Sequence, residues 1–118
     1  MSQNFQPGDF LVFQLEAGFA LLRLLEVEST GSDAVWHLAA YQDLFLDVES
    51  AENATKGNAL TISEPHLAVT TRAFESTQVA RLSNLPLTEP EIEPLRQWKN
   101  DPTREVSDRS VRLMLGLR

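Results

Sequence analysis

The side chains best suited to chemistry fall close together. His37, Tyr41, Asp43, Asp47 and Glu49 bring an imidazole, a phenol and three carboxylates into one stretch. These are the groups that exchange protons in general acid–base catalysis. His37 with Asp43, or with Asp47, is the pair that a small enzyme or a small-ligand-binding barrel would use. On an extended strand His37 and Tyr41 share a face but lie roughly 13 Å apart, too far for direct contact. A cooperating partner therefore has to come from another strand. The only other histidine is His66, after Glu64-Pro65. A metal site built on both histidines needs carboxylates as its remaining ligands, and Asp43, Asp47 and Glu64 are the candidates. Nothing spaces them as a ligand set, so neither a metal nor a cofactor is expected. His37 is expected on a strand face beside Trp36 and Tyr41, and His66 in a loop or at a strand end.

Signatures with a demanding mechanism are missing. No Gly-Lys-Ser or Gly-Lys-Thr phosphate loop occurs, and the five glycines stand alone at 8, 18, 31, 57 and 116. There is no G-x-S-x-G elbow, no H-E-x-x-H and no calcium-loop pattern. The chain has no cysteine, which removes thiolate nucleophiles, disulfides and Cys-based metal sites. With 17 acidic residues in 118, a few acids gather near a histidine by chance alone. No catalytic residue is assigned beyond the candidates His37 and Asp43, and an enzyme is not expected.

Binding chemistry has more candidates. Trp36 and Tyr41, with Phe10, Phe13, Phe19 and Phe45, supply a sheet core or a stacking platform for a ligand. Trp98 reads as the anchor that docks a helical tail, or as an interface hot spot. Arg109 and Arg112 are three apart and would be neighbours on a helix. Asp101, Glu105 and Asp108 lie among the tail arginines, so pairing within the tail competes with docking onto an acidic surface, its own or a second copy's.

Charge narrows the partners. The net charge is -7, and it is uneven: residues 1–88 hold 4 basic and 11 acidic side chains, whereas residues 89–118 hold 6 of each. Phosphate backbones are bound by neutralising them with Lys and Arg. Only Arg23 and Lys56 are basic in residues 1–60, so nucleic acid is not the expected partner, and the arginine-bearing tail is the one place for it. A protein partner, basic in character, is expected instead. A homodimer through the tail or a sheet edge is a variant of that expectation. The leading reading is a small non-catalytic binding or interaction module of the accessory, inhibitor or immunity type. No apolar run is long enough to span a bilayer, and the first residues lack a secretory pattern. A cytoplasmic protein of bacterial character is expected.

These residues must be positioned by strands. Phe10–Leu15 reads as a strand, Glu16-Ala17-Gly18 as a hairpin connection, and Phe19–Glu28 as a second strand too apolar to have one open face. Ala34–Tyr41 reads as a third, with Val35, His37, Ala39 and Tyr41 on one face and Trp36, Leu38 and Ala40 on the other. Residues 49–58 are polar and read as a loop. Short strands are expected at Leu60–Ile62 and His66–Phe74, and 76–85 fits helix or strand. Thr88 and Glu91 have capping-box spacing, Pro90 suits the first turn, and Pro94 reads as a restart of the helix. Ser107 is the candidate cap of a last helix and Gly116 its C-terminal stop. The expected fold is α+β, one domain: an antiparallel sheet or partial barrel of four to six strands over about 1–75, with helices from about 86–118 packed on one side.

Overall fold

The computed structural model describes residues 5–57 and 59–116. Five strands form one antiparallel sheet: β1 (Asp9–Leu15), β2 (Gly18–Ser29), β3 (Ala34–Phe45), β4 (Ile62–Thr70) and β5 (Ala80–Asn84). Their order across the sheet is β4-β3-β2-β1-β5, so the sheet is open, with β4 and β5 at its edges. The first three strands make the expected meander, with Phe13 opposite Ala20 and Val27 opposite Trp36. The fourth and fifth then close on opposite sides of it.

Both faces of the sheet are covered, and the alternation of β2 shows why they must be. Ala20 to Leu25 are all buried. Leu22 and Leu24 join Leu11, Phe13, Leu38, Ala40 and Val69 on one face. Leu21 packs with Phe10, Val12 and Tyr41 on the other, and Leu25 with Ala39 further along it. A strand with apolar side chains on both faces is stable only if something shields each. The first face is shielded by α2 (Thr71–Glu75) through Ala73 and Phe74 and by α4 (Val111–Met114) through Val111. The second is shielded by α1 (Val48–Ala54) through Ala51 and by α3 (Glu89–Lys99) through Leu95. The C-terminal helices thus lie on opposite faces, not together on one side.

Several local expectations need correction. The polar stretch 49–58 is not all loop. Asp47 accepts a 2.7 Å hydrogen bond from the Ser50 amide and caps α1, whose Ala51 is fully buried. Leu60–Ile62 and His66–Phe74 are not two strands: one strand runs from Ile62 to Thr70, where the Thr70 hydroxyl caps α2 and ends it. Pro94 does not restart the helix, since α3 runs through it. Ser110, not Ser107, caps α4. Ser107 bridges to β4 instead, donating its N–H to the Ala68 carbonyl at 2.8 Å and accepting from the Thr70 N–H at 3.0 Å. The segment 76–85 resolves as strand over Ala80–Asn84.

One buried cation ties the second face together. Arg23 is 2% exposed in the middle of β2. Its guanidinium donates to the Gly8 carbonyl at 2.6 Å, to the Pro86 carbonyl at 3.3 Å and to Glu91 at 3.1 Å. It also stacks on Phe10 at 4.1 Å. Gly8 meets this demand because only glycine fits. Its φ is +94°, and a Cβ there would stand 2.5 Å from the Leu85 carbonyl oxygen. Glu91 serves twice, pairing with Arg23 and accepting from the Thr88 N–H at 2.8 Å at the start of α3. Burial raises its carboxyl pKa, but the Thr88 and Arg23 bonds outweigh that and hold it below the usual value.

Removing one partner of a buried ion pair strands the other. Arg23→Ala is therefore expected to lower stability by about 3 kcal/mol, and Glu91→Gln by less, because Glu91 is partly exposed. Urea unfolding of the two variants measures this. An Arg23→Ala loss within the noise of a surface substitution would show that the guanidinium is not what fixes α3.

Candidate functional site

The residues singled out for chemistry do not gather at one point. His37 is the central one. It lies on β3 with its side chain fully buried, opposite Glu26 of β2 and Ala68 of β4. Its Nε2 is 3.0 Å from Glu28 Oε1, and its Nδ1 is 2.9 Å from His66 Nε2. A carboxylate only accepts, so Nε2–H of His37 donates to Glu28 and Nδ1 accepts from His66 Nε2–H. Both ring nitrogens of His37 are therefore engaged within the protein.

The helix α3 closes this cluster. Trp98 meets the His37 ring edge-on at 4.9 Å between centroids and tilts against His66 at 5.5 Å. Its indole N–H donates to the Glu105 carbonyl at 3.2 Å, and the Arg104 guanidinium lies 5.7 Å from its ring. Lys99 reaches Glu26 with Nζ at 2.7 Å from Oε2. Trp98 is thus the anchor of the tail, and its seat is the histidine pair. Leu95 is the only fully buried residue of α3. Burying one leucine is worth roughly 2 kcal/mol, less than the ordering of eleven residues costs, so the polar contacts at the two ends of α3 are needed to hold it.

The electrostatics follow from burial. Desolvation lowers the pKa of His37 despite the opposing pull of the Glu28 carboxylate. His66 is lowered to about 4, by burial first and by the neighbouring His37 second. Both rings are neutral near pH 7, as the hydrogen-bonded pair requires.

The acids that sequence placed near His37 are used elsewhere. Asp43 accepts from the Thr61 N–H at 2.6 Å and so holds the lead-in to β4. Asp47 caps α1, and Glu64 is exposed on β4. The acids that do meet His37 are Glu26 and Glu28. The ligand atoms of Glu26, Glu28 and His37 all lie within 4.8 Å of one another. A sequence signal for them existed: they fall on one face of the alternating end of β2. The pairing with His66 had none, because only the β3–β4 register creates it.

The binding candidates are dispersed. Trp36 donates to the Thr71 hydroxyl at 3.0 Å and stacks on Phe74 at 4.1 Å, so it fastens α2 to the sheet. Tyr41 stacks on Phe10 at 6.1 Å, and burial pushes its hydroxyl pKa up to about 12. It lines a groove of about 380 Å³ shared with Arg23, Leu60, Ile62 and Leu85. Arg109 precedes α4 and is exposed, whereas Arg112 lies within α4, half-buried, so one helix does not present both. Asp108 pairs with Arg72 across to α2.

A second locus joins acids that the sequence did single out, Asp43, Asp47 and Glu49, with exposed apolar residues that it did not. Between residues 43 and 49, Leu44, Leu46 and Val48 alternate with Phe45, Asp47 and Glu49 at the turn from β3 into α1. Leu46 is 89% exposed, Leu44 47% and Val48 40%. Asp43, Asp47 and Glu49 stand among them. Lys56 is the one basic residue between Arg23 and Arg72.

No family model, curated protein or solved structure matches this chain. Among the described residues no helix is long and apolar enough to cross a membrane.

The native histidine pair binds protons more weakly than the unfolded chain, whose histidines titrate near 6.5. Its contribution to stability is complete above that pH and is lost as pH falls from there towards about 4. Melting temperatures across this window are expected to fall with pH in the native protein, and His66→Asn is expected to flatten the slope. An unchanged slope in His66→Asn would assign the protons to other groups.

Proposed function

We propose that this protein is a non-catalytic binding module, an accessory or inhibitor subunit that docks a basic protein partner through the β3–α1 corner. The observation that carries the reading is Leu46, a large apolar side chain 89% exposed at a structured turn. Leu44 and Val48, two positions to either side in the chain, are also exposed, and the same stretch carries the acids Asp43, Asp47 and Glu49. An apolar centre with a charged rim is the anatomy of a protein interface. Its burial supplies affinity, roughly 2 kcal/mol for a single leucine, while the acids steer a cationic partner and reject an anionic one. The net charge of -7 acts in the same direction over longer range.

The catalytic alternative has less support. His37 has no exposed surface, and both its nitrogens are already bonded to Glu28 and His66. Asp43 and Asp47 are engaged with backbone amides. A general base needs a free nitrogen within reach of a substrate proton.

The test compares the native protein with Leu46→Asp and Leu113→Asp as baits in cell lysate. Leu113, on α4, is 71% exposed and serves as the control. Both substitutions are at exposed positions and should leave stability within about 0.5 kcal/mol of the native value. One stoichiometric, positively charged protein is expected with the native bait and with Leu113→Asp. It should be lost with Leu46→Asp, and weakened at about 0.5 M salt, where charge steering is screened. Retention by Leu46→Asp, an acidic partner, or a dimer of this chain in place of a partner would each overturn the reading.

A further inference from the structure

The chemistry of Glu26, Glu28 and His37 is not exhausted by their contacts with α3. We infer that these three residues form a site for a borderline divalent cation, of which zinc is the type, and that Lys99 occupies it in the cation's absence. The inference is independent of the docking surface, which involves none of these residues.

Four observations support it. The first is composition and placement: two carboxylates and one imidazole converge from adjacent strands, with Glu26 directly opposite His37 in the β2–β3 register. Their ligand atoms lie within 4.8 Å of one another, and His37 Nε2 and Glu28 Oε1 are already 3.0 Å apart. Two ligands on a tetrahedral zinc at about 2.0–2.1 Å stand roughly 3.3 Å from each other, so this pair needs little adjustment. Glu26 and Glu28 have side chains 33% and 40% exposed, free to turn towards an ion and open to its entry.

The second observation is the support behind His37. A metal-bound imidazole almost always gives its other N–H to an acceptor that fixes the ring. On binding, the proton on His37 Nε2 leaves to solvent and the metal takes its place. The His66 Nε2 proton passes to His37 Nδ1, which then donates it back to His66 Nε2, 2.9 Å away, and His66 Nδ1 takes up a proton from solvent in its place. The same two rings and the same hydrogen bond serve both states, with only the tautomers exchanged. Full burial and the Trp98 edge hold the His37 ring in place throughout.

The third is charge. Glu26 and Glu28 bring two negative charges, and the Lys99 ammonium offsets one of them. Glu28 meets no lysine or arginine among the described residues, only the His37 ring. A divalent ion balances both carboxylates.

The fourth is Lys99 itself. Its Nζ lies 2.7 Å from Glu26 Oε2, the place a cation would take, on a side chain 41% exposed that can swing into solvent. Three protein ligands leave a coordination position open, filled by water or by a group of a partner.

The test is titration of the metal-stripped protein with Zn²⁺ by calorimetry, with Co²⁺ absorption as a second readout of coordination. One Zn²⁺ per chain is expected, with a Kd of about 10 μM or tighter. Glu28→Gln keeps the size of the side chain and is expected to weaken binding roughly tenfold or more. Lys99→Met removes the competing ammonium and is expected to tighten binding several-fold. A merely structural role for the trio would not produce that gain. Co²⁺ should give the intense visible bands of a low-symmetry, four- or five-coordinate site. No stoichiometric binding, binding undiminished in Glu28→Gln, or affinity unraised in Lys99→Met would overturn the assignment.

Discussion

A guanidinium placed in the centre of a sheet has to be answered by acceptors, and Arg23 dictates where much of the chain goes. Its donors are met by a carbonyl from the turn before β1, a carbonyl from the connection after β5 and the carboxylate of Glu91. Three segments far apart in sequence are thereby drawn to one point on the second face. The phenyl ring of Phe10 covers the cation's flat side. Such an arrangement contributes less through its own energy than through what it forbids. Any other path for the connection into α3 leaves a desolvated charge without a partner, at a cost of several kcal/mol.

The rest of that face follows. Once Glu91 is held by Arg23, the first turn of α3 is fixed in position, and the helix runs back over Leu25 and Ala39. Its far end is set by different chemistry, the seating of Trp98 on two imidazoles and of Lys99 on Glu26. A helix with one buried leucine is therefore held at both ends by polar contacts. The opposite face is held conventionally, by Phe74 stacked on Trp36 and by Val111 in a continuous apolar cluster. The two faces of the sheet thus differ in the kind of contact that holds their helices.

The sheet was legible because its first three strands are local. Gly18 and the polar turn at 29–33 bracket segments whose apolar density allows only a covered strand, and the faces assigned to His37 and Trp36 are those observed. The capping pattern at Thr88 and Glu91 announced α3 as well. What was not legible depends on distance. Helix α1 buries only Ala51, so it has no apolar stripe to reveal it, and its signal was the single cap at Asp47. Ser107 has the chemistry of a helix cap, but β4 claims it first. The two histidines are 29 residues apart, and only the register of β4 against β3 places their nitrogens together. Asp43 and Asp47 were close to His37 in the chain, but the backbone amides nearest them are nearer than the imidazole. Proximity along a strand proved a poor guide to proximity across one.

The short parallel bridge at Ser107 has a consequence for the fate of the chain at high concentration. An open sheet leaves edge strands whose unpaired amides can template a neighbouring molecule. Along the last part of β4 those amides are occupied by the protein's own tail, through Ala68, Thr70 and Ser107. Further back, Pro65 offers no N–H and Glu64 places a charge on the same edge. The long edge of the sheet is thus stopped by a single residue of the tail and a proline. Among the described residues, the other edge strand, β5, has five residues, a template shorter than the six or seven that a stable cross-β zipper uses.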